Sequence, residues 1–140
     1  MYSKQIHVLL ATCLILILTA CKEEMSPPIA GSVSYRLQGG VWAEKSLSED
    51  QLKNISNFLQ QSGSNWHRCF SSLPGGPLLI NLKHTNGTSS SIQQLHFSNS
   101  DTTLMASNLS GSNLSDQPCA LQSFSKEEIH SLYQLLDIPQ

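Results

Sequence analysis

The sequence predicts an α+β domain: an antiparallel sheet of about four to six strands with two amphipathic helices packed on one face. Three observations predict it: two segments that open with the same helix-start signals, an Asn-Gly turn between apolar runs, and further short apolar runs of strand length. At 140 residues the chain has room for one domain, and 39% hydrophobic residues plus 8 Gly bring its apolar share near that of an ordinary globular chain. Only 13% of it is charged, so its polarity comes from Ser, Asn and Gln. With 8 Lys and Arg against 10 Asp and Glu, and no basic cluster, there is no electrostatic footprint for a phosphate backbone, which excludes nucleic acid as the expected partner.

The first helix is written at residues 47–52. Ser48 can cap it, Gln51 can reach back as the capping-box partner, and Leu47 can staple onto Leu52. The helix is expected over 49–61, with Leu52, Ile55, Phe58 and Leu59 on one face and a stop at Ser62-Gly63. The same devices recur at Phe124, Ser125, Glu128 and Ile129, giving a second helix over 126–136 that buries Ile129, Leu132, Tyr133 and Leu136. The acidic pairs Glu49-Asp50 and Glu127-Glu128 fall in the first turns, where the helix dipole favours them.

Between the helices, residues 78–84 and a run ending at His96-Phe97 read as a hairpin around Asn86-Gly87. A two-residue turn pairs Thr85 with Thr88 and so places Leu82 opposite Ser91, Ile80 opposite Gln93 and Leu78 opposite Leu95. One face then collects Leu78, Ile80, Leu82, Leu95 and Phe97, and the other Asn81, Lys83, Gln94 and His96. Further strands are expected at 33–37, 66–70, 102–106 and 119–122, in an order that local pattern does not fix. Residues 71–77 read as a Pro- and Gly-bearing loop. Residues 107–115 repeat Ser-Asn-Leu-Ser on either side of Gly111, and this is the candidate binding loop, with Asn108, Leu109, Asn113 and Leu114. Its leucines are either folded back beneath the loop or exposed as contacts.

The N-terminus reads as an address. Residues 1–7 carry Lys4 and no acid, and residues 8–18 are an uncharged apolar run of signal-peptide length. The uncharged stretch ends at Lys22-Glu23-Glu24, short of the roughly 20 apolar residues a spanning helix needs. Leu18-Thr19-Ala20-Cys21 follows, an aliphatic residue and two small ones before a cysteine. This resembles the lipobox of bacterial lipoproteins, a resemblance confined to residues 1–21. It implies cleavage before Cys21, a diacylglyceryl group on its thiol and usually an acyl chain on its new amine, so that the membrane is held through lipid on Cys21. Lys22, standing where an Asp favours inner-membrane retention, implies sorting to the outer membrane with the domain facing the periplasm. The other readings are an uncleaved anchor or an ordinary secretory signal with a chance cysteine. Residues 1–20 are thus a signal peptide, 21–32 the lipidated cysteine and a tether, and 33–140 one periplasmic domain.

On that reading Cys13 leaves with the signal and Cys21 is taken by lipid, so Cys69 and Cys119 remain to pair in an oxidising compartment. Closing so long a loop stabilises by about 4 kcal/mol on the chain-entropy account. The competing use of Cys69 is as a reactive thiol beside His67 and Arg68.

Chemistry-bearing patterns are sparse. His67, His84, His96 and His130 show no metal-binding spacing, and the expected hairpin register puts His84 and His96 on opposite faces. There is no Gly-x-Ser-x-Gly elbow and no phosphate-cradling glycine loop, and beside a segment that resembles a bacterial lipobox the sequons at Asn54, Asn86, Asn108 and Asn113 are expected to be compositional accidents. Trp42, Trp66, Tyr35 and Phe70 are either a binding platform or braces of a small core. No catalytic residue, metal or cofactor is therefore expected. The leading expectation is a non-enzymatic binding module with a protein partner in the periplasm or envelope, in one version an inhibitor or immunity-type protein acting through residues 107–115. The alternatives are an accessory subunit of an envelope-spanning assembly and, behind it, a small hydrolase.

Overall fold

A computed structural model describes residues 26–62, 66–69, 75–96, 102–109 and 119–140. Seven strands form one antiparallel sheet: β1 (Pro28–Arg36), β2 (Trp42–Ser46), β3 (His67–Arg68), β4 (Gly75–His84), β5 (Ser89–Leu95), β6 (Thr103–Ser107) and β7 (Cys119–Ser123). Their spatial order is β2-β1-β4-β5-β6-β7-β3. The helices among the described residues are α1 (Glu49–Gln61) and α2 (Lys126–Leu136). The α+β class stands, with seven strands where four to six were expected. The strand not foreseen is β2, a short edge strand in which Glu44 and Lys45 dilute any apolar pattern. It is set by a turn in which Gly39 and Gly40 take positive φ and the Leu37 N–H donates to the Val41 carbonyl at 2.8 Å. The first strand also starts at Pro28 rather than Val33, so the last residues read as tether belong to the sheet.

The 4–5 hairpin corrects the expected register by one residue. Leu82 faces Ser90, Ile80 faces Ile92 and Leu79 faces Gln93. The connection is a three-residue loop, closed by the His84 N–H donating to the Thr88 carbonyl at 2.9 Å. Gly87 has φ 81 there while Asn86 does not take positive φ, the pattern of a turn ending in a glycine bulge instead of a two-residue turn. Because side chains alternate with period two, this single step turns β5 over. Ile92 enters the core and Gln94 comes with it, whereas Leu95, expected beside Leu78, lies on the opposite side and is buried there.

One face of the sheet carries an apolar ladder across five strands, Val33–Ile80–Ile92–Ala106–Ala120, each residue at most 3% exposed. Leu52, Ile55 and Leu59 of α1 and Ile129, Leu132 and Leu136 of α2 close over it in a single cluster. Burying one such side chain stabilises by about 2–3 kcal/mol. Both capping boxes are present as expected: Gln51 N–H donates to Ser48 Oγ and Glu128 N–H to Ser125 Oγ, and each partner side chain returns to the cap backbone. The C-terminal end of α2 is also capped from α1 and β2. Gln51 Nε2 donates to the Leu136 carbonyl at 2.9 Å and Lys45 Nζ to the Asp137 carbonyl at 2.8 Å, satisfying the end of α2, whose last turn has no basic residue of its own. Beneath α2 the Tyr133 hydroxyl donates to Gln94 Oε1 at 2.7 Å, which is how the core accommodates that amide. The disulfide joins Cys69 to Cys119, with Cα atoms 5.7 Å apart, and fastens the residue that follows edge strand β3 onto the start of β7.

Candidate functional site: the open face of the sheet

One residue along each strand from the apolar ladder, the other side of the sheet is polar. Ser46, Ser32, Asn81, Ser91, Ser107 and Cys119 stand in register across six strands. The adjacent row mixes Glu44, Ser34, Leu79, Gln93, Met105 and Leu121. Among the described residues no helix covers this side, and apart from Leu95 its strand residues are exposed or half-buried. The small side chains of the first row leave a shallow depression of about 420 Å³, lined by Ser32, Asn81, Lys83, Ser89, Ser91 and Asn108, among others. Hydroxyls and amides there offer donors and acceptors together, and Lys83 is its one charged side chain. Such a surface suits a partner that brings its own polar groups, with Leu79, Met105 and Leu121 supplying apolar contact beside it.

The sequence-derived candidates distribute unevenly over this face. Asn108 is exposed, with φ 57, at the rim of the depression. Leu109 is 6% exposed and belongs to the core, so of its two readings the folded-back one is correct. Asn113, Leu114, Phe70 and Cys21 lie outside the described residues. Trp66 is a core brace, edge-on to Phe124 at 6.1 Å, while Phe58 stacks on the same ring at 5.2 Å. Trp42 is instead half exposed, opposite Arg36 at the sheet edge.

The histidines are dispersed, though the parity argument that separated His84 from His96 fails with the corrected register. His84 is fully buried: Nδ1–H donates to the Ser26 carbonyl at 2.7 Å, which leaves Nε2 to accept from the Ser90 hydroxyl at 2.7 Å. A serine and histidine at this distance have the spacing of a nucleophile and its base, but the orienting group is a backbone carbonyl and both side chains are buried. The pair instead ties the incoming chain at Ser26 to the hairpin. His67 and His96 are exposed, and His130 Nδ1 lies 2.9 Å from Gln140 Oε1. Among the described residues no three His, Cys, Asp or Glu side chains cluster as metal ligands would, and no helix is long and apolar enough to cross a membrane. Both acidic pairs sit in first helical turns.

Sequence reasoning missed the serine row. Its signal is present in the alternating Ser32 and Ser34 of β1 and the run of three serines that opens β5, but reading them as one row requires the strand order. Compared with known proteins, the chain matches no family model, no curated protein and no solved structure.

Proposed function

We propose that this chain is a lipid-anchored outer-membrane lipoprotein whose periplasmic domain binds a protein, and that the open face of the sheet is the contact surface. The observation that carries the binding reading is a sheet covered on one side by both helices and bare of them on the other, where a polar row and an apolar-polar row lie side by side across most of its width. The described part of residues 107–115 contributes Asn108 at the rim, so the partner contact moves from that loop to the face beside it. In the inhibitor version, the face covers a periplasmic enzyme.

The anchor rests on the lipobox at 18–21. Cys21→Ala is expected to abolish both processing and acylation, seen as an uncleaved precursor mass. Normal cleavage and anchoring of that variant would refute the anchor. For the contact surface, a photo-crosslinking residue at position 91 of the full chain in the envelope is expected to give a discrete protein adduct, and one at position 53 on exposed α1 is not. Equal labelling from both positions, or none, would remove the open face as the contact surface.

A further inference from the structure

Four large apolar side chains stand out from the surface among the described residues: Ile29 at 56% exposure, Leu37 at 37%, Val41 at 63% and Trp42 at 52%. Ile29 stands at the start of β1, and Leu37, Val41 and Trp42 at its other end, in the turn to β2 and on the first residue of β2, so the four mark both ends of the β1–β2 side of the sheet. That is also the strand pair into which the anchored end of the chain runs. We propose that this edge lies against the lipid surface that holds Cys21, so that the domain is docked on the membrane in one orientation. The inference rests on the lipid-anchor reading and adds to it a second, weaker membrane contact made by the fold itself.

Chain length supplies the first argument. Five residue steps separate Cys21 from Ser26, a span of at most about 18 Å. Ser26 is not free to swing: its carbonyl accepts from His84, its hydroxyl lies 2.8 Å from Thr85 Oγ1, and the Thr85 N–H donates to the Pro27 carbonyl at 3.2 Å. The start of β1 is therefore held near the bilayer, and the turn at the other end of β1, where Leu37, Val41 and Trp42 stand, reaches the same surface when the β1–β2 edge lies along it, which holds the β7–β3 side away.

The residue types supply the second. An indole with an apolar body and a polar N–H favours the membrane-water interface, Leu37 and Val41 add apolar area beside it, and Ile29 adds more at the other end of β1. Arg36 pairs with Trp42 across β1 and β2, and a guanidinium there meets lipid phosphate. Lys45 is taken by Asp137 at 3.6 Å, so Arg36 is the cation that this strand pair offers to phosphate, against Glu44 as the one carboxylate on β2. Depth follows from the backbone. The outer N–H and C=O groups of β2 need water or headgroups, so the edge and the side chains flanking it sit in the headgroup layer. With strands about 4.8 Å apart, β5 then stands about 14 Å above the edge, leaving the open face upright and accessible to a partner.

The chain has two tryptophans, so Trp66→Phe leaves Trp42 as the reporter. The full acylated variant is reconstituted in vesicles of phosphatidylethanolamine and phosphatidylglycerol with chain-brominated lipid, its acyl mass having been verified. The expected result is that bromolipid quenches Trp42 emission by roughly half and that its quenching by acrylamide falls severalfold relative to the unacylated Cys21→Ser chain in buffer. If Trp66→Phe fails to fold, the same signal is read as the difference between the wild-type chain and Trp42→Phe. Acylated, vesicle-bound protein whose Trp42 stays open to acrylamide and untouched by bromolipid overturns the docked edge alone and turns it toward a strand from a protein. Absence of the acyl mass overturns the anchor and this inference together.

Discussion

Along β4, Ile80 and Asn81 are consecutive residues with opposite roles. Ile80 is fully buried in the ladder beneath the helices, whereas Asn81 is exposed at the middle of the serine row. The same one-residue offset holds in β1 between Val33 and Ser32, in β5 between Ile92 and Ser91, and in β6 between Ala106 and Ser107. Because the strand period is two, neither face can be altered by a register slip without exchanging it for the other. The covered face thus determines the register, which leaves the open face available for the contact proposed above.

That division can be tested from its largest expected effect downward. Replacing Cys69 and Cys119 together by Ser is expected to lower unfolding free energy by about 4 kcal/mol, measured by denaturant titration, because the tie between β7 and the end of β3 is lost. A loss below about 1 kcal/mol would mean that strand pairing alone holds that side. Ile80→Ala removes a fully buried side chain and is expected to cost about 3 kcal/mol. Tyr133→Phe takes one donor from the buried Gln94 amide, at about 1.5 kcal/mol, whereas the register expected from a two-residue turn would have pointed Gln94 away from α2 and made the change nearly neutral. Asn81→Ala, on the open face, is expected to move stability by no more than about 0.5 kcal/mol. A large loss at Asn81 comparable to that at Ile80 would erase the distinction between the faces.

Both helices were legible to the residue because their start signals are local: Ser48 with Gln51, and Ser125 with Glu128, lie within one turn of each other. The hairpin was legible as a hairpin but not in register. Its second strand carries Ile92 and Leu95, which have opposite parity, so a sequence pattern cannot say which one faces the core. The ladder through Ile80 and Ala106 decides for Ile92, and Tyr133, 39 residues away, makes Gln94 acceptable beside it. The His84 link to Ser26, 58 residues away, is equally non-local, and it explains why the segment read as tether ends earlier than its Pro and Gly content implies. The open face was least legible of all. Its residues become neighbours only once β1 is inserted between β2 and β4, a topology that no local signal specifies.

The most direct test of the central claim uses one variant for both faces. Asn81→Arg places a long charged side chain over the depression at a position where the fold tolerates change. With the crosslinker at position 91, the predicted result is an unfolding midpoint equal to that of the parent and loss of the protein adduct. An adduct formed at full yield by this folded variant would contradict the assignment of the open face as the binding surface.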